Sequence, residues 1–209
     1  MKHIAPVRLI VGLGNPGPEY ALTRHNAGVW FIDALLRRFP TTMPLLEETK
    51  FKGLTGQINI AGHSVRLLVP TTFMNLSGQS VAALMNFYKI EPDAILVAHD
   101  ELDIDPGLVR LKQGGGHGGH NGLRDIISSL GNQKDFGRLR IGIGHPGNAK
   151  QVSNFVLKKA PSAETLLTEA AINETVSRIE GIVKGDWQLV MNELHSFNAG
   201  KPDTQPPSV

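Results

Sequence analysis

The chain has 209 residues, of which 41% are hydrophobic, and a formal net charge of +2. It contains no cysteine, which removes disulfides, thiolate catalysis and cysteine-ligated zinc or iron–sulfur sites together. The length suits one domain, and no run approaches the roughly 20 apolar residues that a membrane-spanning helix needs, so a soluble cytoplasmic protein is expected.

The first apolar run, residues 7–11, reads as a buried strand. It runs into Gly12-Leu13-Gly14-Asn15-Pro16-Gly17, the letters of a G-x-G-x-x-G dinucleotide turn. In such a turn the helix starts at the last glycine and points its first N–H groups at a pyrophosphate. Here Pro16 and Pro18 remove two of those donors, and the helical pattern begins only near Thr23. The acid expected about 20 residues on, after a second strand, is replaced by the helical "DALLRR". Nucleotide binding is therefore set aside. The helix carries Val29, Ile32, Leu35 and Leu36 on its apolar face, and Pro40 stops it.

Residues 51–60 and 65–69 read as strands joined by a hairpin at Ala61-Gly62, which makes the sheet mixed. Ser77 is the expected N-cap of the helix "GQSVAALMNFY". The strand "AILVA" then brings His99 and Asp100 to its carboxyl end. Asp105-Pro106-Gly107 is a turn signal, and 108–112 a further strand. "GGGHGGHNG", residues 114–122, is a flexible loop whose Asn121 is placed to cap "LRDIISSL", a helix ended by Gly131. Residues 139–143 form a strand, and 163–197 are helical with a break near Gly185. From Ala199 onward apolar content vanishes, so a disordered tail is expected at 199–209 after one domain at 1–198. Alternating strands and helices predict an α/β fold, a single domain with a central mixed β-sheet flanked by helices and an active-site crevice at the strand carboxyl ends.

The small net charge conceals a gradient. Between Asp105 and Ala160 there are nine basic residues (Arg110, Lys112, Arg124, Lys134, Arg138, Arg140, Lys150, Lys158 and Lys159) and three acids, so this segment carries +6 and the rest of the chain −4. A concentrated positive field suits a polyanion such as nucleic acid.

The residues with chemistry to offer are Asn15 and His25 after the first strand, Asn75 before a helix, Asp100 at a strand end and Asn121 after the glycine loop. A histidine with an aspartate is the minimum set for activating water, the carboxylate fixing the imidazole tautomer. Carboxamides do not titrate, but they donate to an oxyanion or hold a peptide backbone. No G-x-S-x-G supports a serine nucleophile. On the residues alone three readings stay open: a His-Asp hydrolase, a non-catalytic RNA-binding protein, and a metal-dependent hydrolase using His117 and His120 near "HDELD".

Four blocks in order, "GLGNPGPEYALTRHNAG", "PTTFMNLSG", "HDELD" and "KQGGGHGGHNGLRD", resemble the signature blocks of the bacterial-type peptidyl-tRNA hydrolases. The resemblance implies a monomeric esterase without cofactor or metal. It would cleave the ester between a peptide and the 3′ ribose of tRNA, recycling tRNA from abandoned translation. Carried over to this chain, it makes His25 and Asp100 catalytic and Asn15, Tyr20, Met74, Asn75 and Asn121 substrate-binding. It gives His120 a supporting role and makes Lys112 and Arg140 contacts to the tRNA acceptor stem. "GNAKQVSNFV" matches a variable gate over the crevice, and Val69 stands where some members carry a lysine.

Overall fold

The strand β1 (Leu9–Gly12) is buried along its whole length. Leu9 and Val11 face one apolar cluster and Ile10 faces the other, so a short unbroken apolar run serves both sides of a sheet. The computed structural model describes residues 4–41 and 43–201. After β1 come α1 (Ala27–Arg38), β2 (Leu46–Glu48), β3 (Gly53–Ile60), β4 (His63–Pro70), α2 (Ser77–Tyr88), β5 (Ile95–Glu101), β6 (Val109–Gln113), α3 (Asn121–Ser129) and β7 (Gly137–Gly142). The chain ends in α4 (Val152–Val156), α5 (Ser162–Ser177), α6 (Ile179–Lys184) and α7 (Trp187–Leu194).

The seven strands form one sheet in the order β2-β3-β4-β1-β5-β7-β6. The four central strands are parallel, and β2, β3 and β6 join antiparallel. The expected hairpin accounts for the mixing on the β3–β4 side, and β6 adds a further antiparallel pairing at the other edge. Ile60 pairs with His63 across a two-residue turn in which Ala61 (φ 49°) and Gly62 (φ 82°) both have positive φ, the twist that suits a tight hairpin. Phe31, Ile32, Ile172, Ile182 and Trp187 cover one face. Leu84, Met85, Ile126 and Ile127 cover the other.

Several local expectations need correction. Phe51 belongs to a 3₁₀ turn (Thr49–Phe51) and not to a strand. The short edge strand β2, "LEE", has too little apolar content to have been read as one. Ser77 is not a capping residue: a 3₁₀ turn (Met74–Leu76) precedes α2, Leu76 takes the cap position, and the Ser77 hydroxyl donates to the Met74 carbonyl. The first turn of α2 finds its acceptor elsewhere, as the Gly78 N–H donates to Asp125 Oδ2 at 2.7 Å. Asn121 is likewise the first residue of α3, and His120 is its cap. At the end of that helix Gly131 (φ 64°) does stand just past the last turn, its N–H on Ser128 and that of Asn132 on Ile127. Of the tail expected from Ala199, the first residue donates its N–H to the Gly107 carbonyl, and 202–209 lie outside the described residues.

Candidate active site

β1 and β5 run side by side in the same direction, so Gly12 and Glu101 deliver the chain to one end of the sheet. The Leu13 N–H donates to the Ala98 carbonyl and keeps the two exits together. α1 then packs against these ends at closest approach. A Cβ on Gly28 would lie 2.3 Å from the Ala98 oxygen, and one on Gly12 would lie 2.5 Å from the Gly28 oxygen. The glycines therefore serve backbone contact between helix and strands, and that contact sets down the 3₁₀ turn Arg24–Asn26 beside the end of β5.

His25, in that turn, and Asp100, near the end of β5, are both buried. His25 Nδ1 lies 2.9 Å and 3.0 Å from the two oxygens of Asp100. His120 Nε2 reaches Asp100 Oδ1 at 2.7 Å. The tautomers follow from the partners. His120 Nδ1 accepts the Leu123 N–H as the cap of α3, so its proton is on Nε2 and is donated to Asp100. His25 donates from Nδ1, and its Nε2 has no partner among the described residues. Burial alone would raise the Asp100 carboxyl, but the imidazoles of His120 and His25 outweigh it and hold the group well below the usual carboxylate range. Burial pulls His25 down, yet the charge and hydrogen bond of Asp100 win and leave it above the ordinary 6.5.

A third imidazole, His99, lies under this pair, its ring centroid 5.0 Å from that of His120. Burial, and then electrostatic competition with the neighbouring His120 imidazole for a proton, push it down to about 3, so it stays neutral, with Nδ1–H donated to the Asp100 carbonyl.

A cavity of about 700 Å³ opens over this cluster. Asn15, Tyr20, His25, Met74, Asn75, Asp100, His120 and Asn121 all line it. The Asn15 Oδ1 accepts the Met74 N–H at 2.8 Å, which orients the amide and leaves its Nδ2 without an acceptor among the described residues. Tyr20 stands edge-on to Phe73. Lys112 and Arg140 line a separate hollow of about 420 Å³ with Arg110 and His195. Arg140 joins the two, since its Nε donates to Glu101 Oε2 at 2.9 Å and Glu101 lines the main cavity.

Sequence reasoning missed Asn26. Its side chain accepts the Asn15 N–H and donates to the Asn15 carbonyl, at 2.9 and 3.0 Å, so it clamps the loop that presents Asn15. Val152 and Val156, from the segment 147–156 expected over the crevice, do line the cavity, but sequence reasoning missed Phe73, Leu102 and Leu157, which complete that apolar wall from separate segments with no common spacing. Among the described residues, His25, Asp100 and His120 are the ones that offer a metal three ligand atoms together, all within 4.8 Å of one another. Two ligands on a tetrahedral zinc at roughly 2.0–2.1 Å stand about 3.3 Å apart. The 2.7 and 2.9 Å separations here suit a shared proton better. His117, the other candidate ligand, is half-buried and accepts the Gly119 N–H.

A family model described as "Peptidyl-tRNA hydrolase" matches residues 9–202. This chain belongs to the peptidyl-tRNA hydrolase family. It is 63% identical over 190 residues to the peptidyl-tRNA hydrolase of Saccharophagus degradans, covering 91% of this chain and 95% of that one. It is 59% identical over 194 residues to the enzyme of Pectobacterium carotovorum, covering 93% and 98%. The crystal structure of peptidyl-tRNA hydrolase from Acinetobacter baumannii superposes with a TM-score of 0.90 at 52% identity, covering 96% of this chain and all of that one. The four sequence blocks thus identified the family correctly, and the mixed-sheet α/β domain is the family's fold.

Proposed function

We propose that His25 is the general base for the reaction of this family, hydrolysis of peptidyl-tRNA, and that Asp100 holds it in the active tautomer. What carries this reading is that Asp100 accepts the His25 Nδ1–H inside the cavity that three carboxamides line. His25 Nε2 takes a proton from water as its oxygen attacks the ester carbonyl carbon. The imidazolium is stabilised by the Asp100 carboxylate. The amides of Asn15, Asn75 and Asn121 donate to the developing oxyanion or position the peptide backbone. The intermediate collapses by breaking the bond to the ribose oxygen, which recovers the proton from His25. His120 supports the site by holding Asp100 from the other side and capping α3. Tyr20 and Met74 shape the crevice.

Lys112 and Arg140 are assigned to the phosphates of the acceptor stem, which position tRNA without reading its sequence. The enzyme works as a monomer in the cytoplasm on this reading. Among the described residues no helix is long and apolar enough to cross a membrane.

The test is release of peptide from peptidyl-tRNA by wild type and His25→Ala, with and without exhaustive chelation. General-base catalysis is worth about 10²–10⁴-fold, so the variant should lose that much while its thermal melt stays close to wild type. Chelation should leave the wild-type rate unchanged. Wild-type turnover by His25→Ala defeats the assignment, and loss on chelation moves the chemistry to a metal on the same three residues.

A further inference from the structure

One wall of the cavity comes from the segment between β7 and α5, through Ala149, Val152, Ser153, Val156 and Leu157. Its hydrogen bonds are almost all internal. The Gly147 N–H donates to His145, the Lys150 N–H to Asn148, and the Leu157 N–H to Ser153. Gly144 (φ 74°) and Gly147 (φ 82°) turn the chain at its leading end. Among the described residues, apart from the adjoining Lys158 N–H, which donates to the Phe155 carbonyl, one hydrogen bond ties positions 145–157 to the rest of the molecule, from Arg24 Nη1 to that same carbonyl.

Arg24 does more than make that bond. Nη1 also reaches the carbonyls of Lys158 and Lys159 at 3.5 Å each, and Nη2 pairs with Glu164 at 3.1 Å. Its guanidinium carbon lies 4.0 Å from the centre of the Phe155 ring. Its own N–H donates to the Lys158 carbonyl, and Thr23 bridges to Lys159. The side chain is 8% exposed, so few waters compete for these donors. A planar fork with five donors that also stacks on a ring meets all these demands, and an ammonium group does not.

We infer that Arg24 is a positioning residue that fixes the 145–157 wall over the crevice from the same turn that carries His25. The wall and the base then share one anchor, and the width of the crevice is set where the chemistry is set. Val156 adds apolar packing, so loss of Arg24 should loosen the wall without releasing it. Arg24 does not line the cavity, and neither does Phe155. Their effect should therefore fall on how substrate is held and not on the chemical step. This rests on the crevice being the peptide site, and the experiment separates the two.

The variants are Arg24→Lys and Phe155→Ala, the second removing only the ring under the guanidinium. Hydrogen–deuterium exchange of the substrate-free protein should rise within 145–157 in both variants and stay at wild-type levels in α1 and β5. With peptidyl-tRNA, KM should rise about tenfold in Arg24→Lys, the size of one lost charge-assisted hydrogen bond, with kcat held within about twofold. The acid limb of the kcat–pH profile should not move, and Phe155→Ala should reproduce the KM change in smaller measure. Unchanged exchange in the segment overturns the inference, as does a rise spread through α1 and β5. So does a fall in kcat with a shifted acid limb at constant KM, which would mean that Arg24 acts through His25. Should Arg24→Lys fail to fold, Phe155→Ala decides the matter by the same readouts. Exchange is read without substrate, so it stands even if His25→Ala proves active and the site assignment falls.

Discussion

Two neighbouring strand ends handle charge in opposite ways. At the end of β5 a single carboxylate, Asp100, is buried and takes hydrogen bonds from two imidazoles that arrive from different elements. At the β6–β7 pair, Lys112 sits opposite Arg138 and Arg110 opposite Arg140, so four cations share one face of the sheet. Burial, and then the Arg140 charge, pulls the Arg138 guanidinium down to about 10, and its donors go to backbone carbonyls. Lys112 is exposed and free to meet a ligand. In the first region most donors and acceptors are already committed, which fixes tautomers; of the two ring nitrogens without a partner among the described residues, His99 Nε2 is buried and His25 Nε2 belongs to a residue that lines the cavity. In the second, four cations are concentrated and Arg140 is paired with Glu101, which leaves a positive surplus that suits a polyanion bringing its own counter-charge. Orientation is the product of one and attraction the product of the other, so disturbing each should leave a different kinetic signature.

The sharpest way to break the contrast is Asp100→Asn. The variant keeps the shape but gives the imidazoles a carboxamide that both donates and accepts. His25 then loses the charge that stabilises its imidazolium and the acceptor that fixes its tautomer. Turnover should fall by about 10³–10⁴-fold, and KM should change much less. A loss of under tenfold in single-turnover release would show that the pair does not act as a unit.

The pH profile sharpens the same point. In the proposed mechanism the neutral imidazole is the working form, and His25 is held above its ordinary 6.5. The kcat/KM of wild type should therefore fall as pH drops through that raised value, giving an acid limb above pH 6.5. In Asp100→Asn burial is the cause that remains, and it lowers the imidazole, so the limb of the residual activity should move below 6.5. A limb that stays in place assigns the titration to another group. Stability carries the matching signs. The contribution of His25 is complete below pH 6.5 and fades as pH rises through its raised value. That of Asp100 is complete above 3.8 and is lost as pH falls towards its depressed value.

Legibility in the sequence differed between the two regions for a physical reason. The basic surplus near Lys112 and Arg140 is a property of composition and needs no fold to be seen. The order of the four blocks was enough to single out His25 and Asp100 as candidates, but not to show a carboxylate between two imidazoles, because His25, Asp100 and His120 meet only once β1 and β5 are paired. The hairpin at Ala61-Gly62 was visible because the turn demands a particular residue type. The caps of α2 and α3 were misread, since any Ser or Asn before an apolar run looks like a cap. The 3₁₀ turn before α2 and the engagement of His120 at α3 leave no trace in spacing. Asn26 and Arg24 were invisible for another reason: flanking His25 in one short turn, they act on backbone far away or 11 residues back, and backbone partners have no sequence signature.

The smallest expected effect tests the second region. Lys112→Ala should weaken binding of every tRNA about equally and make the dependence of log K on log salt shallower by about 0.9, the release of one counterion. Its kcat should stay at the wild-type value, because Lys112 does not line the main cavity. Arg140→Ala should not behave the same way. It should shallow the slope similarly, yet it also strips Glu101 of its partner at 2.9 Å and leaves a half-buried carboxylate at the rim of the crevice. An anionic rim facing the tRNA terminus should add a loss in kcat/KM that salt does not explain. Restoring neutrality with Glu101→Gln in the Arg140→Ala background should recover that part and leave the salt slope shallow. If the double variant recovers nothing, Arg140 serves phosphate alone and the two regions are independent. If it recovers turnover, Arg140 is the residue through which the attracting surface and the orienting cluster meet.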